Sequence, residues 1–134
     1  MKVVVVLEER FFRTPDGKVW TMRTFDYDFW KPYLAVFESV RVVARLKNVE
    51  RVPDTFVRAD GESVEFAVIP YYVGPLQLSL VLWKVIRAVQ GSVTPQDAVI
   101  LRVPSTLANL MMPVLKRRGQ PFALEVVGDP WDVF

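Results

Sequence analysis

The chain contains neither cysteine nor histidine. Without cysteine there is no disulfide framework, thiol nucleophile, iron–sulfur cluster or Cys-type zinc site. Without histidine there is no Ser-His-Asp triad and no two-His-one-carboxylate metal centre. The side chain whose ordinary pKa lies nearest neutrality is missing, so acid–base work falls to Asp or Glu, less often to Lys or Tyr. Glycine is sparse as well. Gly17, Gly61, Gly74, Gly91, Gly119 and Gly128 are nowhere closer than nine residues. That spacing accommodates neither a G-x-G-x-x-G fingerprint nor a P-loop, which argues against a dinucleotide or nucleoside-triphosphate site of the usual kind. No metal set is legible: Asp26-Tyr27-Asp28 precedes a helix and reads best as its cap. The expectation is no cofactor and no metal.

Excess charge is also small, 17 Lys+Arg against 15 Asp+Glu for a net +2. A nucleic-acid binder usually shows a clustered basic face, so none is expected as a partner. The longest basic run, Lys116-Arg117-Arg118, reads as the last turn of a helix, where cations suit the negative dipole end. The rival reading is a patch for anionic lipid or a charged acceptor. No long apolar run is present. Leu76 to Val89 is interrupted by Lys84 and Arg87 and, at about 1.5 Å per residue, is too short for a bilayer core of roughly 30 Å. Met1, Lys2 and Val3 to Leu7 read as the start of a buried strand rather than a signal peptide. The expected location is cytoplasmic, with peripheral membrane contact through Lys84, Arg87 and the Lys116–Arg118 run if the ligand is a lipid.

What is present is a 134-residue chain, 51% hydrophobic, enough for one domain that buries roughly two thirds of its unfolded surface. Val3 to Leu7 and Ala98 to Leu101 are continuous apolar runs, as in strands covered on both faces. Thr14-Pro15-Asp16-Gly17, between Phe11–Arg13 and Lys18–Met22, signals a hairpin. Asp28 is the expected cap of a helix from about Phe29 to Phe37, with Pro32 in its first turn. Ser39–Leu46 reads as a half-exposed strand, Val52–Glu62 as a loop, and Val64–Ile69 as the next strand. Gly74-Pro75 opens a helix to about Gln90, apolar on most sides and so expected to be covered. Ser105 caps another helix that ends at Arg118 before Gly119, with Pro113 expected to kink or split it. Phe122–Val127 is the last strand. Alternating strands and helices imply an α/β layer fold with a mostly parallel sheet. Trp131, Val133 and Phe134 follow with nothing beyond to cover them; the expectation is that they begin a further, absent segment.

In open parallel sheets, ligands bind outside the carboxyl ends of the strands. That rule selects Glu8, Glu9 and Arg10 after the first strand, and Tyr71, Tyr72 and Gly74 after the third. It also selects Arg102 and Ser105 after the fourth, and Gly128, Asp129 and Asp132 after the last. Such a rim suits a polar, hydroxyl-rich ligand. Each residue also has a plainer reading. Arg102 would pair with Asp129, Ser105 would serve as a cap that leaves N–H groups free for an anion, and the tyrosines would be edge packing.

Three segments carry a family likeness: Ala98-Val99-Ile100-Leu101-Arg102-Val103-Pro104-Ser105, the stretch Gly119 to Asp132 with its Gly128-Asp129-Pro130-Trp131-Asp132, and Phe66 to Pro75. Together they resemble the N-terminal half of group 1 glycosyltransferases of the GT-B fold. The likeness implies a Rossmann-like three-layer sandwich over residues 1–134, with the N-terminal hairpin as an excursion. This would be the acceptor-side half of a two-domain protein. The family works without a metal in a cleft whose nucleotide-sugar site lies mainly on the second domain, which would pack against this one. Many relatives carry a Gly-rich loop where Glu8-Glu9-Arg10 stands here. On this reading the parent protein transfers a sugar from a nucleotide-sugar to a hydroxyl acceptor, and the fragment alone is inactive. Asp129 or Glu8 would be the general base, with Arg10, Tyr72, Gly74, Arg102, Ser105 and Gly128 as substrate contacts. The alternative is a non-catalytic, flavodoxin-like binding or assembly module whose Leu76–Val89 helix packs on a partner. A self-sufficient hydrolase is disfavoured by the absent His and Cys.

Overall fold

Val3 to Leu7 are all buried because the strand they form has apolar cover on both sides. In the computed structural model, which describes residues 1–22 and 24–127, that strand is β1 (Lys2–Arg13). It is followed by β2 (Val19–Thr21), α1 (Tyr27–Leu34), β3 (Ser39–Asn48), β4 (Val57–Arg58) and β5 (Val64–Ile69). The chain continues through α2 (Gly74–Gly91), β6 (Ala98–Val103), α3 (Thr106–Arg118) and β7 (Ala123–Val126). The fold is α/β, with one seven-stranded sheet.

The parallel part runs β5-β3-β1-β6-β7. Its chain order therefore proceeds one way from β1 through β3 to β5 and the other way from β1 through β6 to β7. β2 and β4 add an antiparallel edge through the hairpin, with Phe12 opposite Trp20 and Arg13 opposite Val19. Side chains alternate across the sheet. Val4, Val6, Val43, Ile69 and Leu101 face α2 and α3, while Val3, Val5, Val42 and Phe11 face α1 and an aromatic cluster around Trp30.

β1 is longer than the sequence suggests, and its length matters for the site. It pairs with β3 from Lys2 to Val6 and again from Arg10 to Arg13, with an irregularity between. Four steps along β1, Val6 to Arg10, match two along β3, Val43 to Arg45. β6 leaves the other edge of β1 at Val6, and β2 joins it only at Phe12. Glu8 sits in the gap, inside an irregular strand rather than in a loop after one.

Other expectations shift for physical reasons. α1 starts at Tyr27 and is capped by Asp26, whose carboxylate accepts from the Phe29 N–H at 3.1 Å; Asp28 instead pairs with Lys31 at 2.8 Å. Tyr27 anchors that earlier start by donating its hydroxyl to the Glu62 carbonyl, against Gly61, where a Cβ would come within 2.7 Å of the ring. β3 is central, with a largely buried course, and α3 runs as one helix through Pro113. Ser105 and Gly119 cap α3 as expected, Gly119 with a left-handed φ of 64°.

The larger correction concerns α2. Only Val85 and Val89 of its 18 residues are fully buried, and Leu76, Leu80 and Trp83 are 76%, 78% and 76% exposed. Leu78 and Val81 of the same turns pack on the core, so the exposed residues are those on the outward face of the helix, which nothing among the described residues covers. Trp131, Val133 and Phe134 lie outside the described residues.

Candidate functional site

The strand order reverses between β1 and β6, the position where open α/β sheets leave a crevice at their carboxyl ends. Glu8 stands there, and its carboxylate gathers four elements. Oε1 accepts from Ser105 Oγ at 3.1 Å and from the backbone N–H groups of Thr106 and Leu107 at 2.7 and 3.3 Å. Oε2 accepts from the Tyr72 hydroxyl at 3.2 Å and forms an ion pair with Arg45 Nη2 at 3.3 Å. The first turn of a helix presents unpaired N–H groups and the positive end of the dipole. In this chain its own carboxylate fills that position. Ser105 meanwhile caps α3 in the ordinary way, its Oγ accepting from the Ala108 N–H at 3.1 Å.

Arg45 closes the frame. Nη1 donates to the Tyr72 carbonyl at 3.1 Å, and the guanidinium lies 5.0 Å from the centre of the Tyr72 ring. Its Nε is buried without a partner among the described residues. Arg10 is the ladder partner of Arg45 across the β1–β3 pair. A carboxylate offers about four lone-pair positions, and four hydrogen bonds and the Arg45 ion pair converge on Glu8. Its evident part is to hold β1, β3, the β5–α2 connection and α3 in one geometry.

Tyr72 is 4% exposed. Burial pushes its hydroxyl up to about 12, the Glu8 charge adds to the rise, and Arg45 opposes it. The folded value lies above the ordinary one of about 10. The resulting stability is therefore complete below pH ~10 and is lost as pH rises through ~12. Chemical unfolding between pH 9 and 12 should show a loss of order 2 kcal/mol that Tyr72→Phe removes. An identical high-pH loss in the variant would contradict this assignment.

The remaining sequence candidates separate. Gly74, with φ of 78°, serves as the left-handed turn into α2, a conformation glycine adopts readily. Arg102 lies on the other face of the sheet. Its Nε donates to Glu125 at 3.1 Å, and its guanidinium sits 5.2 and 5.0 Å from the Phe25 and Phe29 rings. Tyr33 donates to the other Glu125 oxygen at 3.2 Å, so Arg102 and Glu125 tie α1 to β6 and β7. Tyr71 packs near Phe12, with Lys47 Nζ 5.2 Å over its ring. Gly128 and Asp129 lie outside the described residues. The structure thus brings together Glu8, Tyr72 and Ser105, adds Arg45, and makes Arg10 the ladder partner of Arg45. Arg45 was legible only as a polar position of β3, because its partners are remote in the chain.

Cavities open elsewhere, at the hairpin. One of about 530 Å³ is lined by Arg13, Thr14, Pro15 and Asn48. Another of about 600 Å³ is lined by Trp20, Phe56 and Pro53 with Asp16 and Asp54. Among the described residues no group of three or more carboxylates is placed to hold a metal ion.

No family model matches the chain, and no solved structure matches it. Protein CapJ of Staphylococcus aureus is 31% identical over 110 residues, which cover 82% of this chain and 28% of CapJ. The chain therefore spans under a third of the length of this curated relative.

Proposed function

We propose that the chain is a Rossmann-like, acceptor-side domain of a sugar transferase. The parent protein would move a glycosyl group from a nucleotide-sugar to a hydroxyl acceptor. The observation that carries this reading is the polar frame of Glu8, Tyr72, Arg45 and Ser105 over the point where the strand order reverses. Crevices at such points are where open α/β sheets take their ligands. The Gly119–Asp132 likeness supports the same reading, as do the cavities at the hairpin, where Trp20 and Phe56 stand beside carboxylates. Aromatic walls with a few oriented polar groups suit a sugar ring.

In this scheme Glu8 orients the crevice rather than abstracting the proton, because its lone pairs are already engaged. Asp129, three residues past β7 in sequence, takes the part of general base. Arg10 and Arg45 bias the mouth towards an acceptor that carries negative charge. Arg102 acts at a distance by bracing β7. The test is a transfer assay on the complete gene product with a panel of nucleotide-sugars. Turnover that falls at least a hundredfold in Asp129→Asn supports the reading; absence of turnover and of donor binding across the panel overturns it. The exposed face of α2 favours a second reading, an assembly module, which predicts partner capture by that helix and no turnover.

A further inference from the structure

Leu76, Leu80 and Trp83 recur at intervals of four and three along α2, so they lie in one line on the helix. Each is about three quarters exposed, and Val73 beside them is 44% exposed. Isolated apolar residues on a surface are ordinary, but an aligned set of this size marks a contact surface. Arg87 continues the line four residues after Trp83, and Lys84 flanks it; both are exposed. α2 contains no Asp or Glu along its whole length. Among the described residues neither cation joins an ion pair.

We infer that this face of α2 docks on an anionic lipid surface, with Leu76, Leu80 and Trp83 entering the headgroup boundary and Lys84 and Arg87 meeting lipid phosphates. Charge complementarity selects this occupant. A second copy pairing through the same helix would bring no α2 carboxylate to either cation, whereas an anionic membrane supplies negative charge along the full face. Leucine and tryptophan beside cations on one exposed helix face are the composition of interfacial helices that lie in the membrane plane. No described helix is long and apolar enough to cross a membrane, so the contact is with its surface. The inference stands whether or not the domain serves sugar transfer. Its geometric consequence is that the Tyr72 end of α2, and the Glu8 crevice next to it, lie close to the lipid.

The test is co-sedimentation of the 134-residue chain with vesicles of phosphatidylcholine alone and of phosphatidylcholine mixed with phosphatidylglycerol. Binding is expected to the mixed vesicles, weakening as salt rises. Replacing both Lys84 and Arg87 by Gln should weaken it about thirty-fold, at roughly a tenfold change per 1.4 kcal/mol and near 1 kcal/mol per cation. Leu80→Glu should abolish it. Its site is exposed, so circular dichroism should remain unchanged. Val36→Glu, at an apolar residue 76% exposed outside α2, should bind like the parent chain. Equal binding to both vesicle types, undiminished binding by Leu80→Glu, or no binding at all would overturn the proposal. So would an α2-dependent dimer in sedimentation velocity without vesicle binding, which would identify a second copy as the occupant.

Discussion

Trp30→Ala is expected to lower the stability of the domain by roughly 3–5 kcal/mol, the range for emptying a large buried aromatic site. Trp30 is fully buried and is the largest side chain on the α1 face of the sheet. Its ring meets Phe29 edge-on with centroids 5.0 Å apart and also lies against Phe25, Tyr33 and Phe66. Its indole N–H donates to the Ala59 carbonyl at 2.9 Å. Alanine would leave a cavity and a buried carbonyl without its donor, two costs that add. α1 has only eight residues, too few to be stable alone, so it depends on this packing together with the Tyr27 and Tyr33 hydrogen bonds. Since small domains have about 5–15 kcal/mol in total, urea unfolding should show a strongly lowered midpoint with an unchanged slope. A Trp30→Phe variant should lie between the two, keeping most of the packing and losing the donor. A loss below about 1 kcal/mol for alanine would mean that this aromatic cluster does not organise the α1 face.

The second large effect is expected at Glu8. Glu8→Leu removes the acceptor for Ser105 Oγ, the Thr106 and Leu107 N–H groups, the Tyr72 hydroxyl and Arg45. Arg45, whose side chain is 13% exposed, would become a mostly buried cation with no carboxylate, a situation that typically costs about 3–5 kcal/mol. Glu8 is itself 27% exposed, so solvent reaches the frame and the expected loss is nearer 2–4 kcal/mol. Glu8→Gln should fall between leucine and the parent: its carbonyl oxygen still serves α3, but its amide N–H groups face other donors. The distinguishing readout is Arg45→Met in the Glu8→Leu background. If the cost arises from a stranded guanidinium, the second substitution recovers part of it, and the double variant is more stable than Glu8→Leu alone. Additive losses would contradict the coupling.

Much of the fold was legible because it is written in local patterns. The continuous valines of β1 and the Ala98–Leu101 run announce strands covered on two faces, and Ser105 and Gly119 bracket α3 by their own backbone chemistry. Asp26 and Asp28 are locally equivalent caps. The choice between them rests on Tyr27 reaching Glu62 past Gly61, a contact that no local pattern encodes. α2 misled for a related reason. Its apolar surface is nearly continuous, which reads as cover on most sides, but cover depends on what lies opposite, and nothing among the described residues lies against the outward face of Leu76, Leu80 and Trp83. At the site, the strand-end rule selected Glu8, Tyr72 and Ser105, yet it also selected Arg102, which alternation along β6 turns to the other face. Arg45 stands in the second half of β3 as one polar residue among several. Its place beside Glu8 follows from a register in which β1 carries two extra residues, and such an irregularity leaves no mark in composition or periodicity.

The claim that joins these observations is that the crevice around Glu8 receives a hydroxyl-bearing acceptor. Amide chemical-shift mapping of the 134-residue chain, titrated with mono- and disaccharides and their phosphorylated forms, tests it most directly. The account predicts saturable shifts centred on Glu9, Arg10, Thr106 and Leu107, stronger for the phosphorylated sugars and absent in Glu8→Leu. Shifts confined to other surfaces, or none across the panel, would contradict it.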